Sequence, residues 1–100
     1  MEEARRLFNV QRFWHVHEEL EKIWLKRQGR EKELLQGLIL VAAALVHYQK
    51  NEMPVVWPML ERALSRLEGQ PDTYYGWDVA KFRNHFQNVL AQKKIEIPTV

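Results

Sequence analysis

The segment that most constrains the fold is the apolar block LLQGLILVAAALVHY at residues 34–48. Drawn as a helix, it is apolar on nearly all faces, and it is rich in Leu and Ala, which favour helix over strand. Its longest uninterrupted apolar run, from Leu38 to Val46, is well short of the roughly 20 residues that cross a bilayer. The block therefore predicts a helix at about residues 30–50 that is buried at the centre of a bundle.

The rest of the chain is predicted to form helices that surround the central one. Helical periodicity indicates these segments at about residues 2–8, 11–28, 54–68 and 79–92. Gly29 is predicted to end the second helix, Pro58 to delay or kink the fourth, and Asp78 to cap the fifth. No alternating strand pattern is found, and the tail at 93–100 is predicted to be extended and partly frayed. The predicted fold is all-α, a single-domain bundle of four to five helices over residues 1–100.

Composition excludes several classes of protein. Cysteine is absent, which excludes disulfides, thiolate nucleophiles and zinc ribbons. The N-terminal sequence MEEARRLF lacks the apolar core and cleavage site of a secretory signal, so we expect a cytoplasmic location and no membrane partner. No P-loop, Gly-x-Gly-x-x-Gly motif or nucleophile elbow is present, which disfavours the familiar nucleotide enzymes and serine hydrolases.

The charge pattern gives little support for a nucleic-acid partner. The chain has 15 Lys and Arg against 13 Asp and Glu, a net charge of +2. The one basic cluster consists of Lys26, Arg27, Arg30 and Lys32. Glu31 and Glu33 interrupt it, and mixed charge of this kind is typical of a solvated helix junction. A nucleic-acid surface usually shows a stronger basic stripe, so this partner is disfavoured.

Polar residues inside the apolar stripes are the candidates for chemistry. His17 stands in the apolar stripe of the second helix, with Glu18 beside it and Glu21 one turn further on. Gln36 and His47 share one face of the third helix, which is otherwise apolar. If these two helices pack together, we expect all five side chains to converge on one internal polar cluster.

Two interpretations of this cluster are open. The first is a hydrogen-bonded network that holds the register of the two helices, and it is favoured because buried polar groups normally satisfy one another. The second is a metal site or an acid–base pair, in which His17, Glu21 and His47 bind zinc or iron or carry protons. No cofactor is predicted, although a divalent metal fits the second interpretation. Whether the chain is an enzyme is left open.

Two further features concern packing. Gly37 lies inside the central helix, where glycine costs about 1 kcal/mol relative to alanine, and it predicts the close approach of a neighbouring helix. The chain also has more large aromatic side chains than a small domain can easily bury, namely Trp14, Trp57, Tyr74, Tyr75 and Trp77. Together with the very apolar central helix, these rings predict self-association, most simply as a homodimer.

The residues of the predicted cluster also carry a family resemblance. One block consists of Phe8-Asn9, Phe13-Trp14, His17-Glu18, Glu21 and Trp24; a second consists of Leu35-Gln36-Gly37-Leu38-Ile39 with His47 downstream. In these blocks the chain resembles the small bacterial and archaeal proteins of the domain of unknown function 309 family, over about residues 7–68. The resemblance implies an all-helical fold and no particular activity. The family often has Gly at the position of Gln11 and Glu at that of His15, so no role for that Glu is carried over.

The sequence therefore favours a structural or protein-interaction module that contains an internal His, Glu and Gln cluster. One alternative is a small metal-binding protein or metal-dependent hydrolase that uses His17, Glu21 and His47. A second alternative is a nucleic-acid accessory protein that uses the basic cluster.

Overall fold

The computed structural model describes all residues from 1 to 100 and contains five helices and one short hairpin. The elements are α1 (Glu2–Asn9), α2 (Phe13–Trp24), α3 (Gly29–Gln49), α4 (Met53–Leu67), β1 (Thr73–Tyr74), β2 (Trp77–Asp78) and α5 (Val79–Gln92). Helices hold 70% of the residues, which confirms the predicted all-α bundle. Asp78 caps α5 as predicted, since its carboxylate accepts the backbone N–H of Lys81 at 3.0 Å.

α3 is the central helix of the bundle, as its apolar sequence predicts. It packs most extensively against α4 and α2, and it buries residues on several faces. The core contains 24 buried hydrophobic residues drawn from all five helices and the hairpin, and no polar or charged residue is buried. None of the helices combines the length and the apolar character that crossing a bilayer requires.

Gly37 marks a close approach between α3 and α4. A Cβ atom at this position would lie 2.6 Å from Leu67 Cδ2 and 3.2 Å from the carbonyl oxygen of Ala63. These distances are shorter than van der Waals contact, so a larger side chain would force the two helices apart. The predicted role of Gly37 in helix packing is confirmed.

α1 ends in a Schellman motif that has a glutamine at its left-handed position. Gln11 has φ of 60°, and its N–H donates to the carbonyl of Phe8 at 2.9 Å. The N–H of Arg12 donates to the carbonyl of Leu7 at 3.0 Å, which completes the motif. The side chain of Gln49 donates to the Gln11 carbonyl at 3.0 Å, so this turn is attached to the end of α3.

The predicted end of α2 was wrong, and Pro58 does not delay the start of α4. α2 ends at Trp24, and Gly29, with φ of 64°, begins α3 instead of ending α2. α4 begins at Met53 and continues through Pro58. Proline at this point removes only one backbone hydrogen bond, the one to the carbonyl of Pro54.

The β1–β2 hairpin is a feature that the sequence analysis did not predict. Tyr74 pairs with Trp77, and the turn residues Tyr75 and Gly76 both have positive φ, 45° and 84°, as a type I′ turn requires. The hairpin directs Tyr74 and Trp77 into the core. Strands of two residues are too short to show an alternating pattern, and only the Tyr-Gly pair signals the turn.

The C-terminal tail is attached to α1, and the prediction that it frays was wrong. The backbone N–H of Val100 donates to Asn9 Oδ1 at 2.6 Å, and Arg5 Nε donates to the Val100 carbonyl at 3.1 Å. Ile95 and Ile97 pack against the core. Apolar residues at alternate positions let this extended segment bury one side.

Candidate functional site

The predicted polar cluster lies on the surface, and its members do not converge. His17, Gln36 and His47 are half-buried, while Glu18 and Glu21 are exposed. The expectation of one internal site was therefore wrong. α2 turns its other stripe residues, Phe13, Val16 and Leu20, to the core.

His17 lies at the border of that stripe, and its neighbours define its environment. It is one residue, or about 100°, round the helix from the core residue Val16. Its Nδ1 lies 3.5 Å from Glu21 Oε2, and its ring is stacked on Trp14 with centroids 5.5 Å apart and planes 1° from parallel. The two rings therefore form a parallel stack on α2.

His47 pairs with Glu52, a residue that the sequence analysis did not select. Asn51 adopts φ of 59° after α3 and reverses the chain, so the Glu52 N–H donates to the His47 carbonyl at 2.9 Å. The same reversal brings Glu52 Oε1 to 3.0 Å from His47 Nδ1. An asparagine directly after the end of a predicted helix indicates such a turn.

Gln36 faces α4 instead of α2. With Leu40 it lines a shallow depression whose other side is formed by Arg62, Ser65 and Arg66. Gly37, the residue after Gln36, is in close contact with Leu67 and Ala63 of the same helix α4. Gln36 therefore belongs to a different surface from His17.

The structure has no group of three or more His, Asp and Glu side chains placed to hold a metal ion. His17, Glu21 and His47 are thus divided between two separate histidine–carboxylate pairs. Zinc sites in proteins use three or four protein ligands. The local chemistry of each pair is that of one imidazole beside one half-exposed carboxylate.

The basic cluster is largely engaged in contacts within the chain. Arg27 Nε lies 3.4 Å from Glu31, and Arg30 donates to the carbonyl of Gly69 at 2.7 Å. The ammonium of Lys32 lies 4.0 Å from the ring centroid of Trp24, a cation–π contact. These three side chains tie the start of α3 to its neighbours.

Tyr74 connects the hairpin to the same region of α3. Its hydroxyl donates to Glu31 Oε2 at 2.8 Å. Burial raises the pKa of Tyr74, and the hydrogen bond to the Glu31 carboxylate raises it further. The phenol is thereby kept protonated, as its donor role requires.

Some of the large aromatic side chains from which self-association was predicted are buried within the chain. Trp77 is fully buried and Tyr74 is 8% exposed, while Trp57 is half-buried with the Lys93 ammonium 5.1 Å from its ring centroid. The exposed rings are Trp14 at 58% and Tyr75 at 69%. One reason for predicting a dimer was that the very apolar central helix would remain partly uncovered. That reason is removed, because α3 is covered by other helices of the same chain.

The surface around Trp14 combines apolar groups with unpaired charges. We name it the α1–α2 corner and define it as Val10, Arg12, Trp14, His17 and Glu18. Val10 is 55% exposed, and neither Arg12 nor Glu18 has an ion pair or side-chain hydrogen bond within the chain.

A cleft of about 500 Å³ lies elsewhere, between α5 and the C-terminal tail. Lys81, Asn84, His85 and Asn88 line its α5 side. Their spacing of i, i+3, i+4 and i+7 places them on one helix face, next to the face that is buried. That spacing is visible in the sequence, although no site was predicted at these residues.

The family is shown by the first part of the chain, α1 to α3 and the turn after α3, which contains both histidine–carboxylate pairs. The profile of the domain of unknown function DUF309 matches residues 1–56. The chain belongs to this family. The stretch that matches DUF309 ends in the first turn of α4, so the hairpin and α5 lie outside it, and Arg5 is the one residue lining the cleft that lies within it.

Two bacterial proteins are similar to this chain over most of its length. An uncharacterized protein from Aquifex aeolicus (strain VF5) is 28% identical over 99 residues, which are 98% of this chain and 30% of that protein. The chain thus spans less than a third of that relative's length. The crystal structure of a conserved hypothetical protein from Thermus thermophilus is similar with a TM-score of 0.78 and 38% identity, over 90% of this chain and 94% of that one.

Proposed function

We propose that this DUF309 chain is a protein-interaction module that pairs with a second copy of itself through the α1–α2 corner. The observation that carries the proposal is Trp14, which is 58% exposed although it is one of the largest apolar side chains in the protein. Burying the exposed part of one tryptophan stabilises an interface by about 1–2 kcal/mol. A two-fold contact uses both copies of Trp14, so this gain is doubled.

The geometry of Trp14 supports an interface role because the ring is already ordered. It is stacked on His17 with nearly parallel planes, and His17 in turn lies beside Glu21. A side chain held in place before binding loses less conformational entropy in the complex. Tryptophan is also among the residues that carry most of the binding energy at interfaces.

The charges around Trp14 favour a second copy as the partner. Arg12 and Glu18 flank the ring in sequence with opposite signs, and each lacks a partner within the chain. In a two-fold contact the same patch meets itself. A patch with both signs around an apolar centre is complementary to its own copy, whereas a patch of one sign repels it.

The Aquifex relative supports the idea of a module. In that protein, the stretch similar to this chain is 30% of a longer polypeptide. A stretch of this size within a longer polypeptide fits a domain that folds as its own unit.

The experiment is light scattering coupled to size-exclusion chromatography at micromolar concentration. We expect a mass of twice the 12.0 kDa of the chain, and a return to the single-chain mass for Trp14→Ala. The matched control is Tyr75→Ala, which removes the other strongly exposed ring and should leave the dimer intact. A wild-type monomer contradicts the proposal, and so does a dimer that Trp14→Ala does not weaken.

A further inference from the structure

The cleft between α5 and the C-terminal tail holds two cationic side chains that have no acidic partner. Arg5 enters it from α1 and Lys81 from the first turn of α5. Neither forms an ion pair within the chain. The one acid in the cleft, Asp78, uses its carboxylate to accept the Lys81 backbone N–H at 3.0 Å. The charged side chains of the cleft are therefore two cations and one carboxylate.

Arg5 is fixed in position, yet most of its hydrogen-bond donors are free. Its Nε donates to the Val100 carbonyl at 3.1 Å. One terminal nitrogen lies over the hairpin turn, only 2.7 Å from where a Cβ of Gly76 would be. Neither terminal nitrogen donates to an acceptor within the chain. A half-buried guanidinium with free donors in a rigid fork matches the two oxygens of a carboxylate or phosphate.

The polar face of α5 adds neutral donors opposite the tail. The side-chain amides of Asn84 and Asn88 have no hydrogen-bond partner within the chain. His85 donates from Nε2 to the carbonyl of Glu96 at 2.5 Å, which leaves Nδ1 free. An Asn amide offers two N–H donors, so these side chains extend the donor-rich wall that begins at Lys81.

The first turn of α5 is not itself the anion site. Its N–H groups are already used, since Ala80 donates to the Asp72 carbonyl at 3.1 Å and Lys81 donates to Asp78. An anion in the cleft would be held by side chains on both walls. The volume of about 500 Å³ lies within the range of small-molecule sites in proteins.

We propose that this cleft is a binding site for a small metabolite that carries an oxyanion, either a phosphate or a carboxylate group. The oxyanion lies between Arg5 and Lys81, and the remainder of the metabolite lies along Asn84 and Asn88 beside the tail. Phe82 contributes apolar surface to the same cleft. This site is independent of the α1–α2 corner and would function in a monomer or a dimer.

The test is a titration of the ¹⁵N-labelled chain followed by nuclear magnetic resonance. Inorganic phosphate and malonate are added separately at constant ionic strength, and the signals of Gly76 and of the Asn84 and Asn88 side-chain amides are recorded. We expect saturable shifts at these three positions. Saturation by phosphate alone identifies a phosphate ligand, and saturation by malonate alone identifies a carboxylate. If neither anion saturates, the proposal is overturned.

Two variants and a control localise the binding. Lys81 is exposed and its side chain forms no hydrogen bond or ion pair within the chain, so we expect Lys81→Ala to keep the fold. We expect Lys81→Ala and Arg5→Lys each to weaken binding about tenfold, the size of one lost charge-assisted hydrogen bond. Lys50→Ala removes the same charge from the end of α3 and should change binding less than about twofold. Equal losses in Lys81→Ala and Lys50→Ala would indicate general charge screening and overturn the site.

Discussion

His47 and Glu52 are joined at two points, one on the backbone and one on the side chains. The Glu52 N–H donates to the His47 carbonyl at 2.9 Å, and Glu52 Oε1 lies 3.0 Å from His47 Nδ1. Both contacts depend on Asn51, whose φ of 59° turns the chain back on the end of α3. A predicted member of the internal cluster thus has its partner in the turn that ends its own helix.

This relationship predicts the effect of substitutions at Asn51. Asn51→Val should lower the free energy of unfolding by about 1–2 kcal/mol, because a β-branched residue is strained at positive φ. Asn51→Gly should be neutral or slightly stabilising. Urea unfolding measures both. The matched control is Lys50→Val, one residue earlier at φ of −93°, and an equal loss there would contradict the role of Asn51.

Gly37→Leu should destabilise the protein. Its Cβ alone would lie 2.6 Å from Leu67, and overpacking of this kind costs about 1–3 kcal/mol. The expected observation is a lower urea midpoint with an unchanged slope, which indicates lost stability without a change in the surface exposed on unfolding. An unchanged midpoint would show that α3 and α4 do not approach closely at this residue.

Gln11→Gly should stabilise the protein by about 0.5–1 kcal/mol. Glycine removes the strain of a side chain at φ of 60°, and the greater freedom of glycine in the unfolded chain offsets part of the gain. The hydrogen bond from Gln49 is kept because it ends on the Gln11 backbone. A rise in Tm is expected for Gln11→Gly and none for Gln11→Ala, which keeps the strain.

Tyr74→Phe should make stability less sensitive to alkaline pH. The pKa of Tyr74 is raised in the folded chain, first by burial and then by Glu31. The folded state therefore holds this proton more tightly than the unfolded state does. The resulting stability is complete below the unfolded pKa of about 10 and is lost as pH rises through the folded value.

Urea unfolding at about pH 8 and about pH 11 measures this effect. Wild type should lose more stability between the two than Tyr74→Phe does. Tyr75→Phe is the matched control, since its ring is exposed and has no such hydrogen bond. If wild type and Tyr74→Phe respond equally, the Tyr74 hydroxyl does not contribute to the alkaline response.

Any effect of zinc on the Tm of the protein should be the same in the wild type, in His17→Ala and in His47→Ala. The two histidines pair with different carboxylates, and no group of three ligands is assembled. A ligand raises Tm only where the folded state binds it more tightly than the unfolded state. A zinc-dependent rise that His17→Ala and His47→Ala both abolish would contradict this expectation and restore the predicted metal site.

Much of the fold follows from local sequence patterns. The apolar block predicts α3 within one residue of both ends, and the bounds of α5 agree with its periodicity and its Asp78 cap. The β1–β2 hairpin escaped prediction because its strands have two residues each. Short strands acquire their stability from the core they cover, here through Tyr74 and Trp77, and leave almost no pattern of their own.

A helical bundle around α3 can be predicted from local patterns, because helical periodicity and apolar content are properties of neighbouring residues. Which polar side chains meet depends on how the helices pack and how they end. Gly37 lets α4 approach α3, and Gln36 lines a depression beside α4. The left-handed conformation of Asn51 brings Glu52 to His47. A helix pattern sets a residue's direction to about 100° per position, whereas a hydrogen bond requires placement within about 0.5 Å. That precision arises from the packing of helices and the geometry of their ends.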